Sequence, residues 1–419
     1  MTATPGGAES AQADAPPVDD APAPVPLTAP RDGMVPVIDR IQPLLEWCER
    51  AAEDDGPIAV DAERASSYRY SNRAYLIQLR TRSAGTALID PVSCMIPPTL
   101  QRMMGEREWV LHAAAQDLPS LAELGLHPPR LFDTELAARL LGMERVGLGA
   151  VVEETLGLAL AKEHSAADWS KRPLPESWLT YAALDVEVLV DVRDVLAERL
   201  RTAGKEQWAC EEFEHERTRE QPPSRQARWR ALHGLGQLRS PRQLAAARAM
   251  WERRDAIAQR EDLSPHRIIR DRDIVTAAKE APRGPDAFSK ALPSRLRKKD
   301  TWWQAARSGL DLPASHLPER AEPSYPPPHK LWSKKHPEAW ERYQAVRERV
   351  GALAEQVQVP AENLLQPALL RQWVWETPRV GDPAAVAAQL SALGARPWQV
   401  ELVAPELVAA LQESSSTAT

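Results

Sequence analysis

The chain has 419 residues, 43% hydrophobic and 26% charged, an ordinary balance for folded protein and enough length for two or three domains of about 150 residues. No apolar run approaches the roughly 18 residues that a membrane helix needs, and the N-terminus lacks the basic start and apolar core of a secretory signal, which points to the cytoplasm. The net charge of −7 is unevenly spread: residues 1–221 carry 22 Lys and Arg against 37 Asp and Glu, residues 222–300 carry 19 against 9, and residues 301–419 carry 11 against 13.

Residues 1–35 are rich in Ala, Pro and Asp and show no apolar periodicity, so they are expected to form a disordered tail. Short apolar runs follow. Ile58–Val60, Ala74–Leu79, Ala87–Ile89 and Trp109–Leu111 are predicted strands, the first three close enough for an antiparallel meander; later strands are separated by helical segments, so the sheet should be mixed. Pro175 to Leu200 is predicted to be one long helix. Cys48, Cys94 and Cys210 lack the spacing of disulfide frameworks or zinc sites and are expected to serve packing.

Beyond residue 221 the strand signal disappears. Ser240-Pro241 is a helix start, with a capping serine and proline at the first helical position. This region coincides with the basic block; clustered positive charge can hold a polyanion by counterion release, and a solvated helical surface is the other reading. A Pro-rich stretch at 309–332 reads as a stiff linker. After it, Trp340, Tyr343, Val346, Val350, Leu353 and Val357 recur at helical spacing. A polar tail is expected over 412–419.

Three segments carry acids that could do chemistry. In Val60-Asp61-Ala62-Glu63 the two carboxylates alternate onto one face of a strand, about 6–7 Å apart along the chain, where a divalent cation would relieve their repulsion. Exposed acidic pairs at strand ends are also common. His112 to Leu118 runs from a strand into a small-residue turn bearing Asp117, and Tyr181 and Asp185 stand one helical turn apart.

Together, in order and spacing, these segments resemble the exonuclease motifs of the DEDD superfamily. Position 180, where a histidine subclass would place its histidine, is Thr, so the chain resembles the tyrosine subclass. Tyr75 to Leu79, the His-Ala-x-x-x-Asp-Leu stretch from His112 to Leu118, the strand-like Phe132-Asp133-Thr134, and Asp168-Trp169-Ser170-Lys171-Arg172-Pro173-Leu174 are similar to ribonuclease D. The segment Trp251 to Ala258 with Leu263 to Ile269 resembles the HRDC domain, a small helical nucleic-acid-binding or interaction module, and Gln372 to Trp375 resembles a second copy in which such aromatics belong to the core.

The resemblance implies an RNase H-like α/β exonuclease domain with a mixed five-stranded sheet at 36–221, an HRDC domain at 222–308 and a second HRDC-like all-α domain at 333–411. It implies that Asp61, Glu63, Asp117 and Asp185 hold two divalent cations, Mg²⁺ or Mn²⁺, and that Tyr181 orients the attacking water. His112, Gln116, Lys162, Trp169 and Arg172 are candidates for touching the terminal nucleotides: Trp169 by stacking a base or only anchoring its loop, Arg172 by holding a phosphate or only capping that loop. The implied activity is 3′→5′ hydrolysis of RNA with a free 3′ end, tRNA precursors included, by a monomer independent of membranes. A 3′→5′ DNA exonuclease and a catalytically silent RNA- or protein-binding scaffold are the competing readings.

Overall fold

Strand Ile58–Arg64 opens with Ile58, Ala59 and Val60, all at most 1% exposed, because both faces of this part of the sheet are covered. The computed structural model describes residues 23–161, 167–219, 229–319, 326–377 and 382–417. Its strands are β1 (Val25–Leu27), β2 (Val37–Ile38), β3 (Ile58–Arg64), β4 (Ala74–Thr81), β5 (Gly85–Ile89), β6 (Glu108–Leu111), β7 (Arg130–Asp133) and β8 (Leu158–Leu160). One sheet has the order β2-β5-β4-β3-β6-β7. In it β3, β4 and β5 form the antiparallel meander, while β2, β6 and β7 join by parallel pairing. The sheet is thus mixed, with six strands among the described residues rather than five; the extra one, Val37–Ile38, is too short to leave a periodic signal.

The N-terminal expectation needs a further correction. Residues 1–22 lie outside the described residues, but Val25–Leu27 pairs in parallel with β8, and the following turn is tied down by charge. Arg31 reaches Asp191 at 2.9 Å and Asp32 accepts from Arg80 at 3.0 Å. Backbone pairing and these ion pairs order a segment whose composition alone could not.

The helical stretch after Pro175 divides into Glu176–Glu187 and Leu189–Thr202, with Val188 between them at φ −107°, ψ −8°. The redirection gives the two halves separate tasks. Glu176–Glu187 crosses β3, β4 and β5, its Ala182 and Ala183 fully buried, whereas Leu189–Thr202 buries Leu189, Val192, Leu196 and Leu200 in the main core. Small residues at the first contact let the helix backbone come close to the strand that carries Asp61 and Glu63.

The helix Pro241–Glu261 starts as expected: Ser240 and Gln243 form a reciprocal capping box, and Pro241 occupies the first turn. Its module has a core of its own, including Met250, Ile274, Phe288 and Trp302. It docks on the loop joining β3 to β4. Asp262 accepts from Tyr70 N at 3.1 Å, Ser71 N at 2.9 Å and the Tyr75 hydroxyl at 3.3 Å, while Ser264 N donates to Tyr68 O at 3.0 Å.

The C-terminal helices are built differently. Trp332, Tyr343, Val350, Trp373 and Trp398 belong to the same continuous apolar cluster as the sheet. Trp398 stacks on Trp208 with centroids 5.0 Å apart, its Nε1 donates to Glu212 at 2.8 Å, and Arg396 pairs with Glu212 at 2.7 Å. Trp332, which the sequence places in the linker, is fully buried and begins this module. The expected polar tail also differs: helix Pro397–Thr417 continues through Gln412.

Candidate active site

Side-chain alternation puts Asp61 and Glu63 on one face of β3, and the crossing helix brings Asp185 against them. Ligand oxygens of Asp61, Glu63 and Asp185 all lie within 4.8 Å of one another. Asp117 enters from the turn after β6 and lines the same cleft, about 750 Å³ in volume, together with Tyr181, His112 and Gln116. Residues far apart in sequence therefore share one acidic pocket.

Four carboxyls in a confined, poorly hydrated space cannot all ionise cheaply. Burial, opposed by the Ala62 N–H and by Arg64, pushes Asp61 up to about 6. Glu63, 8% exposed, is raised to about 10, first by burial and then by the charges of Asp61, Asp185 and Asp117. Asp117 and Asp185 are also held well above the usual carboxylate range, by burial and then by Asp61. Tyr181 shares a hydrogen bond with Asp185, and burial beside these acids raises its pKa above the ordinary phenol value. Such a set of hard oxygen donors, short of positive charge, fits magnesium- or manganese-type cations, and neither Cys nor His belongs to the three-acid cluster.

The turn that carries Asp117 is fixed by an acid that the sequence reading treated only as part of a strand. Ala113 adopts a left-handed conformation, φ 58°. Asp133, 2% exposed, accepts from Ala113 N at 3.1 Å and Ala114 N at 2.8 Å while capping the next helix through Glu135 N at 2.8 Å and Leu136 N at 3.2 Å. Burial nevertheless raises it to about 6. Its local signal was the helix start Asp133-Thr134-Glu135, an N-cap pattern.

The nucleotide-contact candidates separate. His112 and Gln116 line the cleft; His112 Nδ1 lies 2.9 Å from Thr134 Oγ1, and burial pushes its pKa down to about 4, so it is neutral at physiological pH. Lys162 lies outside the described residues. Trp169 must be corrected: it is 0% exposed and packs on Trp178 with centroids 5.3 Å apart, leaving no ring face for a base. Arg172 is corrected as well. Its guanidinium holds Asp90 through two bonds of 2.7 and 2.8 Å and donates to Trp169 O at 2.8 Å and Tyr75 O at 2.7 Å, so it anchors the loop instead of reaching a phosphate.

Residues 35–201 match the family described as 3′-5′ exonuclease, residues 243–299 the HRDC domain, and residues 325–411 a 3′ to 5′ exonuclease C-terminal domain. The ribonuclease D of Sphingobium indicum is 30% identical over 297 residues, spanning 68% of this chain and 73% of that protein. The chain belongs to the ribonuclease D family. It is accordingly a metal-dependent 3′→5′ exoribonuclease. The ribonuclease D of Bartonella henselae is 29% identical over 275 residues, 62% of this chain and 66% of that protein. Among solved structures, a protein from Bifidobacterium adolescentis superposes with a TM-score of 0.83 at 36% identity, covering 93% of this chain and all of that one. Escherichia coli RNase D shares the fold, with a TM-score of 0.70 at 24% identity over 90% of this chain and 98% of its own.

Sequence reasoning also missed Arg64. It follows the first acidic pair and lines the cleft, with Nη2 3.3 Å from Asp117 Oδ1. Strict alternation along β3 would turn Arg64 away from Asp61 and Glu63. Its long side chain nevertheless brings the guanidinium round to Asp117, at the strand end where the pairing with β4 slips by one residue, Glu63 facing Leu76 and Arg64 facing Ala74.

Proposed function

We propose that the chain removes nucleotides one at a time from RNA 3′ ends by a two-cation mechanism, with Asp61, Glu63, Asp117 and Asp185 holding Mg²⁺ or Mn²⁺. The observation that carries this reading is the convergence of Asp61, Glu63 and Asp185 oxygens within 4.8 Å, in a cleft that Asp117 completes. Bound divalent cations supply charge stabilisation on the phosphoryl oxygens and ease deprotonation of a water. In the cation-free protein burial and the neighbouring acids oppose a phenolate, and the role proposed for the Tyr181 hydroxyl is to orient the attacking water as a hydrogen-bonding group. His112 and Gln116 border the terminal nucleotide, His112 in its neutral form.

Attack by water on phosphorus breaks the bond to the 3′ oxygen of the upstream nucleotide. The shortened RNA keeps a 3′-hydroxyl, and a nucleoside 5′-monophosphate leaves. Precursors of tRNA and other structured RNAs with free 3′ ends are the proposed substrates, in keeping with the Escherichia coli relative, described as an exoribonuclease involved in structured RNA processing. The test is a 5′-labelled, 3′-overhanging RNA and its DNA counterpart incubated with Mg²⁺ or Mn²⁺. Wild type should give a ladder shortening from the 3′ end of RNA, and Asp61→Asn none. Equal degradation of the DNA strand would replace the RNA reading, and breakdown surviving EDTA would remove the metal mechanism.

A further inference from the structure

Arg64, at the end of β3, places a permanent cation among acids that need neutralising. Arg64 Nη2 pairs with Asp117 at 3.3 Å, and the guanidinium also lowers the cost of ionising Asp61 and Glu63. A guanidinium is a permanent cation in proteins. Among the described residues its buried Nε has no hydrogen-bond partner, which leaves part of the guanidinium edge unused. The side chain also lines a second hollow of about 320 Å³ beside the main cleft, shared with Ser66, Ser67, Gln116 and Glu63. Arg64 thus stands at the junction of the acidic cleft and a more polar side pocket.

We infer that Arg64 is an exchangeable counter-ion: it balances Asp117 when the acids lack divalent cations and turns to an RNA phosphate in the side pocket when they are filled. This rests on the proposed role of the four acids. Two kinds of cation compete for Asp117, and divalent charge wins because it can be shared by several carboxylates. Loading then frees a planar guanidinium next to the reacting end of the RNA. That fork is suited to paired contacts with phosphate oxygens, which the pocket's hydroxyls Ser66 and Ser67 can supplement. A lysine would keep the charge but lose the paired geometry.

Arg64→Ala and Arg64→Lys separate the parts of this inference, each compared with wild type. Mn²⁺ binding is measured by titration calorimetry without RNA, and RNA binding by fluorescence anisotropy with Ca²⁺ in place of the catalytic ion. Removing the competing charge should tighten Mn²⁺ binding by Arg64→Ala about fivefold, the most that a screened ion pair of this kind supports. RNA binding by the same variant should weaken by about tenfold, with a shallower salt dependence, and KM should rise more than kcat falls. Arg64→Lys should restore Mn²⁺ competition without restoring RNA affinity. Unchanged or weaker Mn²⁺ binding in a folded Arg64→Ala protein overturns the inference, as does wild-type RNA affinity in that variant. Failure of wild type itself to bind Mn²⁺ or cleave RNA would instead sink the exonuclease mechanism.

Discussion

Replacing Asp61 by asparagine should make the metal-free protein more stable while abolishing cleavage. The carboxyl sits in the acidic cleft and is held at about 6 against an ordinary 3.8. At neutral pH that difference corresponds to on the order of 3 kcal/mol of unfavourable ionisation. Water entering the cleft screens part of it, leaving about 1–2 kcal/mol. An amide keeps the shape and can still accept the Ala62 N–H, but it removes the costly ionisation of Asp61 beside three other acids. For a domain of roughly 150–250 residues this raises Tm by about 2–8 °C. The assay is thermal unfolding of wild type and Asp61→Asn in EDTA and again with excess Mn²⁺, alongside the labelled-RNA ladder. The cation should stabilise wild type strongly and the variant weakly, so their order in Tm narrows or reverses on loading. A variant that melts lower than wild type in EDTA, or that still shortens RNA, would refute the electrostatic reasoning.

The same cleft sets a pH dependence. Asp61 has a raised folded-state pKa, so its favourable contribution to metal-free stability is complete below about pH 4 and is lost as pH rises through about 6. Divalent cations displace protons from the acids, so Mn²⁺ affinity should climb over that range with measurable proton release; affinity independent of pH would contradict the shared-acid site. Arg172→Ala should destabilise by about 3 kcal/mol in urea unfolding, because it strands the buried Asp90 carboxylate, with RNA affinity of the folded fraction unchanged. Asp262→Ala removes the acceptor for Tyr70 N, Ser71 N and the Tyr75 hydroxyl. It should speed hydrogen exchange in the loop between β3 and β4 and destabilise docking by about 1–3 kcal/mol.

The motif acids were legible because each depends on short-range regularities that survive tertiary packing. Asp61 and Glu63 follow from strand alternation, and Tyr181 with Asp185 from one turn of helix. Arg64 was not legible: alternation alone turns it away from Asp61 and Glu63, and only the folded path of its long side chain brings the guanidinium to Asp117. Trp169 and Arg172 were ambiguous for another reason. A tryptophan or arginine beside a catalytic motif has the same letters whether it faces RNA or holds a loop, and only the covered ring and the satisfied Asp90 decide. The break at Val188 was hidden because no Pro or Gly marks it and the residue stays near helical geometry.

The shared apolar cluster has a consequence for how the molecule comes apart. Because Trp398 and Trp373 complete the same interior as Val60 and Leu111, severing the chain after the middle module would uncover a broad greasy surface on the catalytic body and invite aggregation. The middle module, sealed around its own Met250 and Phe288, can let go at lower temperature and leave that body intact. Calorimetry of the whole chain should therefore record two melting events, the smaller one first.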